Sequence, residues 1–473
     1  MNATLILLKI LVAATLLAGA PLALKRRWRL FLAVPLAVFQ GFVPWSNIAG
    51  TPIPIAFWGG LLLWPELISE FRLVATWKPT ACIIGIILLY SISLLWSPDR
   101  KLGLAPIGYF LEFLVIFSAV VTEGRRDEKS LFRLLFITVT LGIAQAITVV
   151  LFRVMPGLKF AFYLSSVAKW FISPNSLQHM FMSGQNNVLS PGKSGGMVGV
   201  DANFSATYLG ILTFMAIGLA LRYRSRWPAL IGILLLAAVP FVGSKAGLIL
   251  AAALPIFALQ AISWQYRRWR NVSRVVMVAI IVAGTFAWFG PKAFEANKIG
   301  QYKALDSLLD RSEVTLSTRE KIWEFAPRVF AQHPVLGQGF GGWQKAFIPY
   351  ARQEGLPNDL PPHNTIIYLW SQGGLLAALL GLSFMQQVLK LGWREMHSGE
   401  LPTFAFGFAM TFGFLWTFIQ GMGENFGLIG DIHMSPLLAC LLALGYLHRR
   451  PSRLAVGEPQ LIGQSEYPHE AAA

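Results

Sequence analysis

The sequence predicts an all-α polytopic integral membrane protein, and three observations carry that reading. Of its 473 residues 55% are hydrophobic and 13% charged, where a soluble globular chain carries about 25% charged residues. Mean hydropathy is +0.57, and apolar runs recur near the ~20-residue length that a helix needs to cross a bilayer. The runs are also continuous. A membrane barrel would alternate its facing over ~10-residue segments, so strands are excluded.

In chain order the apolar runs are 3–23, 30–45, 52–68, 80–97, 104–121, 134–154, 203–221, 228–242, 246–264, 275–290, 364–390, 402–421 and 433–447. A few are short enough to re-enter or pair up, which leaves about 12 spans. The first run contains Ala18-Gly19-Ala20, a loose likeness to a cleavage site. Lys9 interrupts it and Pro21 and the basic run Lys25–Arg29 follow, so it reads as a retained membrane segment.

The net charge is +16. Its cations sit in short clusters between apolar runs, a distribution that membrane topology requires and nucleic-acid binding does not. Lys25–Arg29, Arg72 with Lys78, Arg125–Arg133, Arg222–Arg226, Arg267–Arg274, Lys390 with Arg394, and Arg449–Arg453 fall in alternate loops, which are therefore cytoplasmic. Loops 46–51 and 422–432 carry no Lys or Arg, and Arg100 and Lys101 depart from the pattern. Two long loops, 155–202 and 291–363, then lie outside. The division is an N-terminal bundle over 1–290, a large outer loop over 291–363 with short helices, C-terminal helices over 364–448, and a disordered tail over 449–473. Cys82 and Cys440 lie inside apolar runs and read as small core residues.

Chemistry concentrates between Ser317 and Gly374. Ser317-Thr318-Arg319-Glu320 has the form of a capping box, predicting a helix through about Ala331 with Ile322, Phe325, Ala326 and Val329 on one apolar side. Arg319 and Trp323 share a face. A cation at a helix N-terminus is unfavourable unless an anion joins it, which points to an anion site at Arg319. The alternative is a surface arginine paired with Glu320 or Asp310. GlyGlnGlyPheGlyGly (337–342) follows no strand and precedes no helix signal, so it reads as a tight turn whose glycines supply positive φ. His333 reads as structural.

His363 follows Pro361-Pro362 and precedes Asn364 at the start of an apolar run. An imidazole at that boundary can accept a proton from an alcohol. Lys193, in ProGlyLysSerGlyGly, lacks the P-loop pattern, and Lys245, in GlySerLysAlaGly, has glycines that hint at a phosphate. Glu424 and Asp431-His433 form another outer cluster that either binds a sugar or supports the fold. No metal-ligand spacing is present. Several cations and one base at an outer membrane surface suit transfer from a lipid pyrophosphate to a hydroxyl.

These residues resemble the O-antigen ligase/O-antigen polymerase superfamily of bacterial envelope glycosyltransferases. The likeness rests on Arg319-x-x-x-Trp323, HisProValLeuGlyGlnGlyPheGly (333–341), ProHisAsnThrIleIleTyrLeuTrpSerGlnGlyGly (362–374), and GlySerLysAlaGly (243–247), which looks like the family's Gly-Ser-Arg-Gly. The resemblance implies a GT-C-like, inverting, metal-independent transferase without a cofactor. It would sit in the inner membrane with its site facing the periplasm. The donor would be undecaprenyl-pyrophosphate-linked O-antigen and the acceptor lipid A–core. By matching positions His363 would be the base and Arg319 would hold the donor pyrophosphate with Lys245 and Lys193. Lys245 stands where the family usually has arginine, keeping the charge but losing the bidentate fork. Lys193 and Asn203 loosely match an Arg…Asn element. Trp323, Asn364 and Glu424 would contact acceptor or glycan, or support the site. The moderate loop with its helix–turn–His order favours ligase over polymerase. Protein O-oligosaccharyltransferases of this kind tend to be longer. A lipid-linked glycan transporter would place ionisable residues in mid-span.

Overall fold

The computed structural model describes residues 24–39, 42–48, 51–173, 176–178, 193–265, 314–358, 360–424 and 427–447, besides Thr15 and Gly19. The expected spans 3–23 and 275–290, the basic cluster Arg267–Arg274 and the tail fall outside them.

Six described helices are long and apolar enough to cross a membrane. They are α6 (Lys101–Arg126), α7 (Glu128–Val154), α10 (Ala202–Tyr223), α12 (Lys245–Gln265), α15 (Thr365–Met396) and α16 (Leu401–Gly421). Three shorter apolar helices join them: α5 (Lys78–Ser93), α11 (Arg226–Val242) and α17 (Met434–Leu447). The protein is a helical membrane protein.

The N-terminal region departs from the expected spans. The run 30–45 is divided between α1 (Arg26–Phe39) and strand β1 (Phe42–Ile48), which pairs antiparallel with β2 (Thr51–Pro54). This short hairpin is the one sheet among the described residues, and the helices that could cross a membrane are unaffected by it. Run 52–68 becomes the end of β2, α2 (Ile55–Leu61) and α3 (Trp64–Ser69), followed by α4 (Phe71–Thr76). Each of these helices is only about 10 Å long at 1.5 Å per residue, too short to span. Pro44, Pro52 and Pro54 cannot continue a helix, yet they barely interrupt hydropathy. The expected outer loop 155–202 carries α8 (Pro156–Leu164) and α9 (Ala168–Phe171).

Helix α10 is the hub, packed between α11 and α16. A Cβ on Gly210 would lie 2.3 Å from the Trp416 ring, and one on Gly218 would lie 2.5 Å from the Ala409 Cβ. Small residues let these helices approach as membrane helices do. Cys82 and Cys440 are buried free thiols, as expected of small core residues.

The two ends of α10 differ chemically. At its C-terminal end Arg222 pairs with Glu128, and the other basic loops gather in Arg26–Glu123 (3.3 Å), Arg29–Glu66 (3.0 Å) and Arg125–Glu70 (2.7 Å). Asn203 stands at its N-terminal end, about 29 Å from Arg222 at 1.5 Å per residue. That separation matches the ~30 Å hydrocarbon core.

Beyond the bundle, α13 (Val314–Gln332) and α14 (Gly342–Glu354) form a pair. Ile322, Phe325, Ala326 and Val329 are buried with Trp343, Phe347, Tyr350 and Trp370, as their spacing predicts. Two local expectations are corrected. Helix α13 runs from Val314, so Ser317 lies inside it rather than ahead of its first turn. A helix does follow the glycine turn, because Trp343, Phe347, Tyr350 and Ala351 form an apolar face at helical spacing.

The glycine turn locks against α15. Gly337, Gly339 and Gly341 all have positive φ, as expected of that turn. Gln338 N–H donates to the Ser371 carbonyl (2.9 Å), Leu375 N–H to that of Val335 (2.9 Å) and Trp370 Nε1 to that of Pro334 (3.0 Å). Helix α15 breaks at Gly374, with φ 80° and ψ −175°. The break frees the Ser371 carbonyl and Leu375 N–H for the turn.

Candidate functional site

The site forms where α10, α12, α13, α15 and α16 meet at the end of the bundle opposite the basic loops. Its centre is Glu424, just past α16 and 8% exposed. Arg319, from the second turn of α13, pairs with Glu424 Oε1. Among the described residues Arg319 thus finds its carboxylate in Glu424 rather than in Glu320, and Asp310 lies outside them. Asn203 Nδ2 donates to the same oxygen at 2.8 Å.

His363 faces the other carboxylate oxygen, with Nδ1 3.8 Å from Glu424 Oε2. That is ion-pair distance but too long for a hydrogen bond, and Nδ1 is sealed from solvent without a hydrogen-bond partner. The ring keeps 22% exposure, so its open part lies away from Nδ1. The backbone at His363 is left-handed, with φ 47°. Histidine enters that region more readily than most residues, still at a cost of about 1–2 kcal/mol. Neighbours hold it there: Trp323 Nε1 donates to the Pro362 carbonyl (3.3 Å), and the Asn364 side chain caps α15 by accepting from Ile366 and Ile367 N–H (2.9 and 3.2 Å). Asn364 Nδ2 and Thr365 Oγ1 reach the Met422 and Gly421 carbonyls (3.2 and 3.0 Å), tying the His363 turn to the Glu424 segment. Trp323 and Asn364 thus act as supports.

A second layer fixes Asn203. Ser244 Oγ donates to Asn203 Oδ1, Gln420 Nε2 to the Asn203 carbonyl (2.8 Å), and Trp416 Nε1 to Gln420 Oε1 (2.9 Å). Ser244 and Gln420 were not singled out in the sequence. An amide ending an apolar run is the signal that could have found Gln420.

Lys193 lies in a strap, residues 193–200, bound to α7. Gln145 Nε2 donates to the Gly195 carbonyl (2.8 Å), and Met197 and Val198 N–H donate to Gln145 Oε1 (3.0 Å each). Buried Lys159 of α8 donates to the Lys193 carbonyl at 3.1 Å. Burial, then Arg153, lowers that amine to about 8. Lys193 stands within electrostatic reach of Glu424. Lys245 follows Ser244 at the start of α12, and its flanking glycines have fold-level reasons. Gly243 caps α11 with φ 79°, and a Cβ on Gly247 would lie 2.4 Å from the Ala206 Cβ. They give no separate sign of a phosphate.

Burial pushes Glu424 up to about 7; Arg319 pulls it down, Asp201 raises it further and Lys193 lowers it. Burial, then Arg319, pushes His363 down to about 4, leaving a neutral imidazole at neutral pH. Asp431 and His433 belong elsewhere. Asp431 caps α17, accepting from His433 and Met434 N–H (3.0 and 3.2 Å), while His433 packs edge-on against Phe204 (5.2 Å). They support the fold.

Residues 230–382 match the family described as O-Antigen ligase. That match supports membership of the O-antigen ligase superfamily. No curated protein matches the chain. The matched segment contains Ser244, Lys245, Arg319, Trp323, His363 and Asn364, whereas Lys193, Asn203, Gln420 and Glu424 enter the site from outside it. The match supports a ligase- or polymerase-like role with lipid-linked glycan.

Proposed function

We propose that this site transfers a glycan from undecaprenyl pyrophosphate to a sugar hydroxyl of lipid A–core, as an inverting O-antigen ligase at the periplasmic face of the inner membrane. Residues 291–363 then form the large periplasmic loop, and the basic loops at the far end of α10 lie in the cytoplasm. The observation that carries this reading is the pairing of a neutral imidazole with an arginine around one carboxylate, inside the O-antigen ligase segment.

The acceptor hydroxyl oxygen attacks the anomeric carbon of the donor sugar. The bond from that carbon to the phosphate oxygen breaks, and undecaprenyl pyrophosphate leaves with the electron pair. The hydroxyl proton passes to His363 Nε2. Arg319, with Lys193 and Lys245 at the rim, neutralises charge growing on the leaving diphosphate. None of these steps requires a metal.

The test is lipopolysaccharide gel analysis of a ligase-deficient strain carrying wild type, His363→Ala or Arg319→Ala, with membrane expression checked. Wild type restores polymer on lipid A–core and both variants fail. Full complementation by His363→Ala would refute the base assignment. Longer lipid-linked chains without transfer to lipid A–core would replace ligase by polymerase.

A further inference from the structure

Glu424 is a carboxylate between two partners that a transferase uses at different moments. Oε1 takes Arg319 and Asn203, and Oε2 faces His363 Nδ1 across 3.8 Å. A diphosphate competes with Glu424 for the guanidinium, because Glu424 Oε1 already occupies Nη2, one end of the fork that a bidentate diphosphate needs. A carboxylate hydrogen-bonded to one imidazole nitrogen fixes the tautomer that leaves the other as acceptor, and it stabilises the imidazolium formed by proton transfer.

We propose that Glu424 is a positioning residue that couples donor binding to activation of the base. It holds Arg319 while the site is empty, and it closes onto His363 Nδ1 when the donor diphosphate takes Arg319 over. The closure needed is about 1 Å, from the observed separation to hydrogen-bond length. The rest of the site is built to allow it. Asn203 holds Oε1 as a pivot and is itself fixed by Ser244 and Gln420 from two other helices. The His363 turn is bonded to the Met422 and Gly421 carbonyls, so base and carboxylate ride on joined segments. The unsatisfied Nδ1 is the atom that gains a partner. A base enabled only by donor also limits deprotonation in an empty site.

The inference rests on the proposed function, and two measurements separate the two. The first is binding of inorganic pyrophosphate to purified protein by calorimetry, which needs no turnover. Removing the competing carboxylate in Glu424→Gln tightens pyrophosphate about 10-fold, and Arg319→Ala in that background cancels the gain. The second is transfer kinetics. Glu424→Gln lowers kcat by about 10- to 100-fold, the range seen when an orienting partner is lost, while KM for the lipid-linked donor stays level or falls. A purely structural role would not split kcat from KM in that direction.

The pH profile adds a signature. The charged and titratable groups facing Glu424 are Arg319 of α13, His363 before α15, Lys193 of the strap and Asp201 at the N-cap of α10. Glu424 must ionise to act, so wild-type kcat/KM rises through about pH 7 and Glu424→Gln loses that limb. Should Glu424→Gln fail to fold, Glu424→Asp keeps the charge with one methylene less reach, and slower turnover at unraised donor KM is again expected. Unchanged pyrophosphate affinity in Glu424→Gln overturns the inference, as does a raised KM at unchanged kcat. If pyrophosphate binding behaves as stated but wild type transfers no glycan, the proposed function and the coupling to a base both fall, and only the competition for Arg319 stands.

Discussion

The break in α15 at Gly374 holds the His363 half-helix against the glycine turn, and Gly374→Ala tests how much depends on it. At φ 80° and ψ −175° the backbone sits in a region essentially reserved for glycine, where another residue costs about 1–3 kcal/mol. Space is a second obstacle: an added Cβ lies 2.1 Å from the Val335 carbonyl oxygen and 2.7 Å from the Leu336 carbonyl carbon. Those are backbone atoms, so the turn itself must move. Moving it strains the bonds from Leu375 to Val335 and from Gln338 to Ser371, each contributing about 1 kcal/mol net. The total is about 3–5 kcal/mol. Gly399 is the internal control, with φ 79° but nothing within 4 Å of an added Cβ, so alanine there costs about 1–2 kcal/mol of backbone strain alone. Thermal unfolding in detergent can be followed with a thiol-reactive dye that reports the two buried cysteines. Gly374→Ala lowers the midpoint several times more than Gly399→Ala, and it lowers transfer activity even below its midpoint. Equal shifts for the two variants would refute the claim that the break docks the turn.

Three further outcomes follow from the same geometry. Trp323→Phe keeps an aromatic ring but loses the indole N–H bond to the Pro362 carbonyl, worth about 1 kcal/mol, and lowers kcat less than about 10-fold in the transfer assay. Asp431→Ala removes the α17 cap and costs about 1 kcal/mol of stability in the dye assay, with turnover per folded molecule unchanged. His433 and His363 are depressed by burial to about 3 and about 4, so each contributes stability that is full above pH 6.5 and is lost as pH falls through those values. Glu424 and Asp431, both raised to about 7, act oppositely, their contribution fading as pH rises through that value. His433→Gln therefore flattens the acid side of the stability profile.

Periodic signals were legible in the sequence and long-range pairings were not. The apolar face of α13 could be counted from Ile322, Phe325, Ala326 and Val329, because helical spacing is local. The positive φ of Gly337, Gly339 and Gly341 was readable for the same reason. The break at Gly374 was hidden, since two glycines inside an apolar run leave hydropathy unchanged. Run 52–68 misled in the same way, its prolines being apolar enough to hide a strand end and two short helices. Helix α14 was missed because a glycine turn drew attention from the aromatic spacing behind it. Arg319 could be picked out as a cation needing an anion. Its partner lies 105 positions away, beyond any local rule.

That distance bears on what the site needs from the fold. His363 and Arg319 come from the segment that matches the O-antigen ligase family, but the carboxylate joining them and the amides that fix it come from α10, α16 and the turn after α16. A buried carboxylate is tolerable only with partners, since leaving one charge unpaired in a dry site costs several kcal/mol. Here the partners are the two groups assigned to the donor and the proton. Taking either away leaves Glu424 to the other, with Lys193 within electrostatic reach of the carboxylate. Stability of the empty site and turnover of the filled one therefore depend on the same carboxylate. A variant that stabilises the Arg319–Glu424 pair is expected to slow donor entry.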